Sequence, residues 1–159
     1  MLKLLNHKNS IIFFSLIIFF TSTYLIFLNF FNESGYWFDE WCTLLSADPN
    51  ANLETIHERH KGNFEKPYEN VPIFYYLVLR FFFDVFGYTS ENGRIFSLIF
   101  FFLSSTTLYF FLKSFVKKEE SLFTTSIFFS SPLILWMSNE TRVDMFLLFF
   151  SIINCLIFL

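Results

Sequence analysis

Two adjacent carboxylates, Asp39 and Glu40, stand just after the first long apolar run of the chain. Ionisable groups at the edge of a membrane are costly to keep without a purpose, and a carboxylate there can take a proton from a hydroxyl nucleophile or orient it. The plainer role for both is to favour the start of a helix, where negative charge meets the positive end of the macrodipole. A second polar cluster, Asn139-Glu140-Thr141-Arg142-Val143-Asp144, separates two later apolar runs. An acid, a base and another acid in so short a turn can grip an anionic headgroup through charge-assisted hydrogen bonds, or the turn is solvated with a Glu140–Arg142 ion pair of little worth. Arg94, at the start of another apolar run, is a further cation for that purpose, against the ordinary alternative of snorkelling at a helix end. His57 and His60 share a helical face with Glu54 or Glu58 nearby, but no third or fourth ligand is spaced to complete a metal site, and the stretch reads as solvated. Cys42 and Cys155 form neither a CxxC motif nor a disulfide framework and read as reduced or inert.

These groups must be positioned by apolar helices. The chain has 159 residues, 54% of them hydrophobic, with 28 phenylalanines, more than one water-soluble core of this size could bury, so lipid must take up the surplus. The net charge is -3 and no basic patch interleaves with aromatics, which argues against nucleic-acid binding. Five apolar stretches are legible: Ile11 to Phe31, Val71 to Gly87, Ile95 to Leu112, Leu122 to Met137, and Met145 to Leu159. The first, at about 30 Å of helix and without a small-residue cleavage site, is a retained anchor rather than a signal peptide. The last runs to the end of the sequence, so the chain is expected to be the N-terminal part of a longer polytopic protein.

Lysine-rich short loops favour the cytoplasm, which puts the N-terminus (Lys3, Lys8) and the loop Lys113, Lys117, Lys118 on one side. An even number of crossings must separate them. Val71 to Gly87 is therefore expected to be an interfacial or re-entrant helix. It carries Arg80 and Asp84 on one face, and its aromatics (Phe74, Tyr75, Tyr76, Phe81 to Phe83, Phe86) suit a headgroup boundary. The resulting fold class is an all-α polytopic membrane protein with about four transmembrane helices and an outer loop, residues 32–93, carrying interfacial amphipathic helices. Both polar clusters then emerge on the non-cytoplasmic side.

Spans two and three, joined by a short loop, are expected to pack as neighbours, with Ser104, Ser105, Thr106 and Thr107 facing Thr124 to Ser126, Ser130 and Ser131 across helix contacts. Pro132 should kink the third span near its outer end. In the segment after span one, Trp37, Trp41, Leu44 and Leu45 form an apolar stripe with Asp39, Thr43 and Ser46 opposite, the pattern of a membrane-surface helix. Asp48-Pro49 then supplies a stop, and a second short helix is expected near Leu53 to His60.

Four blocks in order resemble the polytopic glycosyltransferases of the GT-C class that use polyprenyl-phosphate sugars, the glycosyltransferase family 39 group that includes protein mannosyltransferases and aminoarabinose transferases. Trp37-Phe38-Asp39-Glu40 is similar to the family's WxDE motif, and Asn70-Val71-Pro72-Ile73-Phe74-Tyr75-Tyr76 to its HPPLYY motif, with Asn70 and Val71 in place of His-Pro. Phe86-Gly87 through Arg94-Ile95-Phe96-Ser97 resembles the FG to LRxxS passage, and Ser131-Pro132 through Trp136, Glu140, Arg142 and Met145 the end of the third span. The resemblance implies an inverting glycosyl transfer in which Asp39 is the general base or orienting carboxylate and Glu40 supports the geometry. Arg142 and Arg94 would hold the donor phosphate, with Glu140 orienting Arg142.

The implied partners are a polyprenyl-phosphate sugar donor, a lipid, glycan or protein acceptor, and membrane lipids. No cofactor is required, and the sequence does not decide for or against a divalent metal. The implied setting is a bacterial inner (plasma) membrane with the site on the periplasmic or extracellular side; few alanines beside many phenylalanines and isoleucines hint at an AT-rich bacterial genome. From another class, the alternative is a non-catalytic membrane fragment or partner-binding subunit. A transporter subunit is disfavoured because hydroxyls, not charges, occupy the middle of the expected spans.

Overall fold

The computed structural model describes residues 7–30, 38–52, 54 and 71–159, and among them every regular element is a helix. The stretch expected to form a short helix around Leu53 to His60, the histidines at 57 and 60, Trp37 and Asn70 lie outside the described residues, Glu54 aside. In chain order the helices are α1 (His7–Phe30), α2 (Phe38–Ser46), α3 (Ile73–Phe86), α4 (Ser90–Lys113), α5 (Lys118–Phe129), α6 (Pro132–Ser138) and α7 (Asp144–Ile157).

Length and composition sort them. α1, over Asn9–Phe27, and α4 are long and apolar enough to cross a membrane. α5 and α6 are limbs of one apolar stretch bent by 68°. The bend falls where Pro132 opens α6, because proline has no N–H to carry the ladder across and holds Ser131 before it in an extended conformation. The kink expected of the third span is therefore present. α7 has 14 residues, about 21 Å of helix at 1.5 Å per residue, against the roughly 20 residues that a crossing needs.

α3, also 14 residues, is equally short and ends at Gly87, whose φ of 99° only glycine adopts at no cost. The aromatic residues of α3 are divided by face. Tyr75, Tyr76, Leu79 and Phe83 are fully buried, while Phe74, Phe81, Val85 and Phe86 are exposed. Arg80 turns to the segment after α2, donating from Nη1 to the Ala51 carbonyl at 2.7 Å and from Nη2 to the Pro49 carbonyl at 2.8 Å.

α4 is the centre of the bundle. It packs most extensively on α7 and also on α5, while α1 lies along α5. Two aromatic-rich clusters fill the interior. One joins the end of α2 to α3, α4 and α7 through Ala47, Tyr75, Leu79, Phe83, Phe96 and Phe146; the other joins α1, α4, α5, α6 and α7 through Ile26, Phe101, Phe129, Ile134 and Met145. Phe101 meets Phe129 edge to face at 5.1 Å between centroids, the geometry that ring quadrupoles favour.

Hydroxyls supply several polar contacts between the apolar helices. Ser22 Oγ donates to Ser130 Oγ at 2.6 Å, Ser121 Oγ to the Tyr109 carbonyl at 2.7 Å, and Ser104 Oγ to the Met145 carbonyl at 3.4 Å. Thr106 and Thr107, expected among these contacts, bond instead to carbonyls of their own helix, Phe102 and Leu103. Replacing the fully buried Ser104 by leucine is expected to cost about 1 to 3 kcal/mol by overpacking the α4–α7 contact, whereas Thr106→Leu on the outer face should be nearly neutral. Thermal unfolding of both variants in detergent checks this; equal melting temperatures would remove the contact from the fold.

Candidate active site

Negative charge at the first turn of a helix is favourable, and α2 opens with Phe38, Asp39 and Glu40. Successive residues on a helix point about 100° apart, so the two acids face different surroundings. Glu40 turns inward and is fully buried; Asp39 turns outward, its side chain 67% exposed.

Every charged oxygen of Glu40 is satisfied. Arg94 of α4 donates from Nε to Oε1 at 2.9 Å and from Nη2 to Oε2 at 3.0 Å, the two-pronged geometry in which a guanidinium matches a carboxylate. Thr141, in the turn between α6 and α7, donates both its backbone N–H and its hydroxyl to Oε1, each at 3.1 Å. α4 reaches this point because Thr89 caps its start, accepting from the Asn92 N–H at 3.2 Å. The turn approaches α4 closely because residue 93 is glycine: a Cβ there would stand 2.5 Å from Thr141 Oγ1.

This anchoring decides which face of α2 is inside. Glu40, Cys42, Thr43 and Ser46 are buried, while Phe38, Asp39 and Trp41 face outward. The stripe read from sequence placed Thr43 and Ser46 on the outer side with Asp39. The structure corrects this: Thr43 and Ser46 share that face with Asp39 but are buried, while Asp39, in the first turn of the helix, stays exposed.

Around Arg142 the arrangement is looser. Its side chain is 25% exposed, and its guanidinium lies 3.1 Å from Asp144 Oδ2, 3.6 Å from Glu140 Oε2 and 3.9 Å from Asp39 Oδ2, with the Trp136 ring beneath it at 5.3 Å. The two sequence clusters are thus brought together, since Asp39 and Arg142 share one small region with Glu140 behind them. Arg94, grouped from sequence with Arg142 as a phosphate ligand, sits against Glu40. Burial pushes the Glu140 carboxyl above the usual carboxylate range, against the opposing pull of Arg142.

Sequence reasoning singled out Asp39, Glu40, Arg94, Glu140 and Arg142, and the structure gathers all five. It passed over Thr141, Gly93 and the pairing of Asp144 with Arg142. Gly93 stands in the polar run just before the apolar stretch and carried no signal of a close approach. Thr141, between two charged residues, carried no such signal. Among the described residues no group of histidine, cysteine or acidic side chains could hold a metal ion.

Two outcomes are expected. Glu40→Ala leaves the nearly buried Arg94 without its carboxylate and should cost about 3 to 5 kcal/mol, read as a loss of thermal stability in detergent; a stability unchanged from the wild type would show the pair to be superfluous. Because the raised Glu140 carboxyl binds its proton more tightly in the folded chain than in the unfolded one, its ionisation costs stability as pH rises through the folded value. The stability of Glu140→Gln relative to the wild type should therefore increase with pH in the mildly acidic to neutral range, as measured by melting temperature across a pH series.

A family model described as dolichyl-phosphate-mannose-protein mannosyltransferase matches residues 70–159, more than half of the chain. The match takes in Arg94, Glu140 and Arg142, whereas Asp39 and Glu40 precede it. No curated protein and no solved structure gives a match. A bundle of apolar membrane helices that gathers acids and arginines at one end of α4 suits such a family, and the chain belongs to it: it is a dolichyl-phosphate-mannose-protein mannosyltransferase family member, a membrane glycosyltransferase of the GT-C type.

Proposed function

We propose that this chain serves an inverting glycosyl transfer that moves a sugar from a polyprenyl-phosphate donor to a hydroxyl of a lipid, glycan or protein acceptor. The observation that carries the reading is the pairing of an exposed carboxylate with a partly exposed guanidinium: Asp39 stands 3.9 Å from Arg142, on a helix fixed by the buried Glu40.

In this reading Asp39 takes the proton of the acceptor hydroxyl as its oxygen attacks the anomeric carbon. The bond from that carbon to the phosphate oxygen breaks on the opposite face, and its electron pair leaves with the lipid phosphate. Arg142 meets the departing phosphate. At 3.9 Å its contact with Asp39 is the longest of its three carboxylate contacts, so a phosphate can take that place on the guanidinium and release Asp39 toward the acceptor. Glu140 and Asp144 orient Arg142 from behind, and the Trp136 ring supports its face. Glu40 acts as a positioning residue for Asp39, and Arg94, held in two hydrogen bonds to Glu40, serves that same purpose in place of direct phosphate binding.

The lysines at 3, 8, 113, 117 and 118 favour a topology that puts this site on the non-cytoplasmic side, in keeping with a bacterial inner membrane and a periplasmic or extracellular site. A donor anchored by its own lipid suits an acid-bearing helix packed on apolar helices.

Asp39→Asn should lower the release of lipid phosphate from dolichyl-phosphate mannose, used as the donor probe in membranes carrying the protein, by about 100- to 10,000-fold, with insertion and melting temperature unchanged. Retained turnover in that variant would remove Asp39 from the chemistry.

A further inference from the structure

Arg80 is unexpected in α3, whose other residues are apolar or aromatic except for Asp84. The proposed transfer chemistry makes no direct use of it. Its guanidinium is partly buried and reaches two carbonyls, Pro49 and Ala51, in the tight turn by which the chain leaves α2. That turn is closed by its own bonds: the Asn50 N–H donates to Asp48 Oδ1 at 2.9 Å, and the Ala51 N–H to the Asp48 carbonyl at 3.2 Å. Two N–H groups in a rigid planar fork match two neighbouring carbonyls in a way a lysine ammonium does not, and a cation beyond the last turn of α2 also meets the negative pole of that helix. Close by, the Tyr88 hydroxyl donates to the Leu44 carbonyl at 3.0 Å.

α2 is thus gripped at both ends from the same pair of helices and the link between them. Glu40 on Arg94 holds the first turn, while Arg80 and Tyr88 hold the last turn and the segment leaving it. A short rod with one anchored end pivots; a rod with two does not. Asp39 is next to the Glu40 pivot and points outward, so loosening the far end tilts the helix and turns the Asp39 carboxylate away from Arg142. We infer that Arg80 is a positioning residue for the transfer reaction, fixing the direction of Asp39 through the far end of α2. This rests on the role proposed for Asp39, although the mechanical part stands independently of it.

The test uses the whole chain in lipid nanodiscs. Spin labels are placed at Phe38→Cys on α2 and Leu147→Cys on α7, both exposed positions, with Cys42 and Cys155 replaced by alanine. The label-to-label distance distribution is compared for the wild-type residue, Arg80→Lys and Arg80→Gln. Both variants are expected to broaden or shift it, Arg80→Gln the more. In the unlabelled protein both should lower kcat for lipid-phosphate release from dolichyl-phosphate mannose by about 10- to 100-fold while leaving the donor KM unchanged. A distribution as narrow and as centred in Arg80→Gln as in the wild type overturns the inference, and so does an unchanged kcat. If Arg80→Gln does not fold, Arg80→Lys, which keeps the charge and loses the fork, decides alone. If Asp39→Asn retains activity, the chemical reading fails, and the spectroscopic comparison still decides whether Arg80 holds α2.

Discussion

A carboxylate with no access to water must have each oxygen met by a donor, or the free energy of its burial falls on the fold. Glu40 meets that requirement with donors from two distant segments, Arg94 lying 54 positions along the chain and Thr141 lying 101. Much of the local architecture is a consequence. α2 must lie against the first turns of α4. The turn between α6 and α7 must come within hydrogen-bond reach of both, and that approach leaves no room for a side chain at residue 93. Asp39, beside Glu40 in the first turn of α2, stays exposed.

Neighbouring acids are thereby given opposite duties. Glu40 is fully buried and accepts from Arg94 and Thr141. Asp39 is exposed, with one long contact to the Arg142 guanidinium. The arginines divide in the same manner: Arg94 is committed to Glu40, while Arg142 is surrounded by carboxylates at graded distances and partly open to solvent. Three carboxylates around one guanidinium would be an excess of negative charge if all were ionised. Burial of Glu140, by favouring its neutral form, eases that excess where a phosphate is proposed to arrive.

Sequence carried the elements and their polar clusters well because membrane burial writes itself in long apolar runs. The bend at Pro132 and the use of Ser104 and Ser130 as contacts came from the chemistry of proline and of hydroxyls in a bundle. Which face of α2 turns inward was not legible. The apolar stripe through Trp41, Leu44 and Leu45 is a local signal, while the rotation is set by an ion pair whose partner lies in another helix. For the same reason Arg94 read as a free cation at a helix end: nothing in the residues around it announces a carboxylate more than fifty positions earlier. The division of α3 into buried Tyr75, Tyr76 and Phe83 and exposed Phe74 and Phe81 likewise depends on the helices that pack beside it.

The distance in sequence between Glu40 and Thr141 also bears on biosynthesis. Chains emerge from the ribosome N-terminal end first, so Glu40 is made long before Thr141, and Arg94 arrives between them. Until the last of these partners has been translated, the Glu40 carboxylate has no complete set of donors and is better hydrated than buried, which holds α2 back at the water boundary. The first turn of α2 can settle only once Arg94 and Thr141 have both been made, so a ribosome that stalls early leaves this contact unassembled.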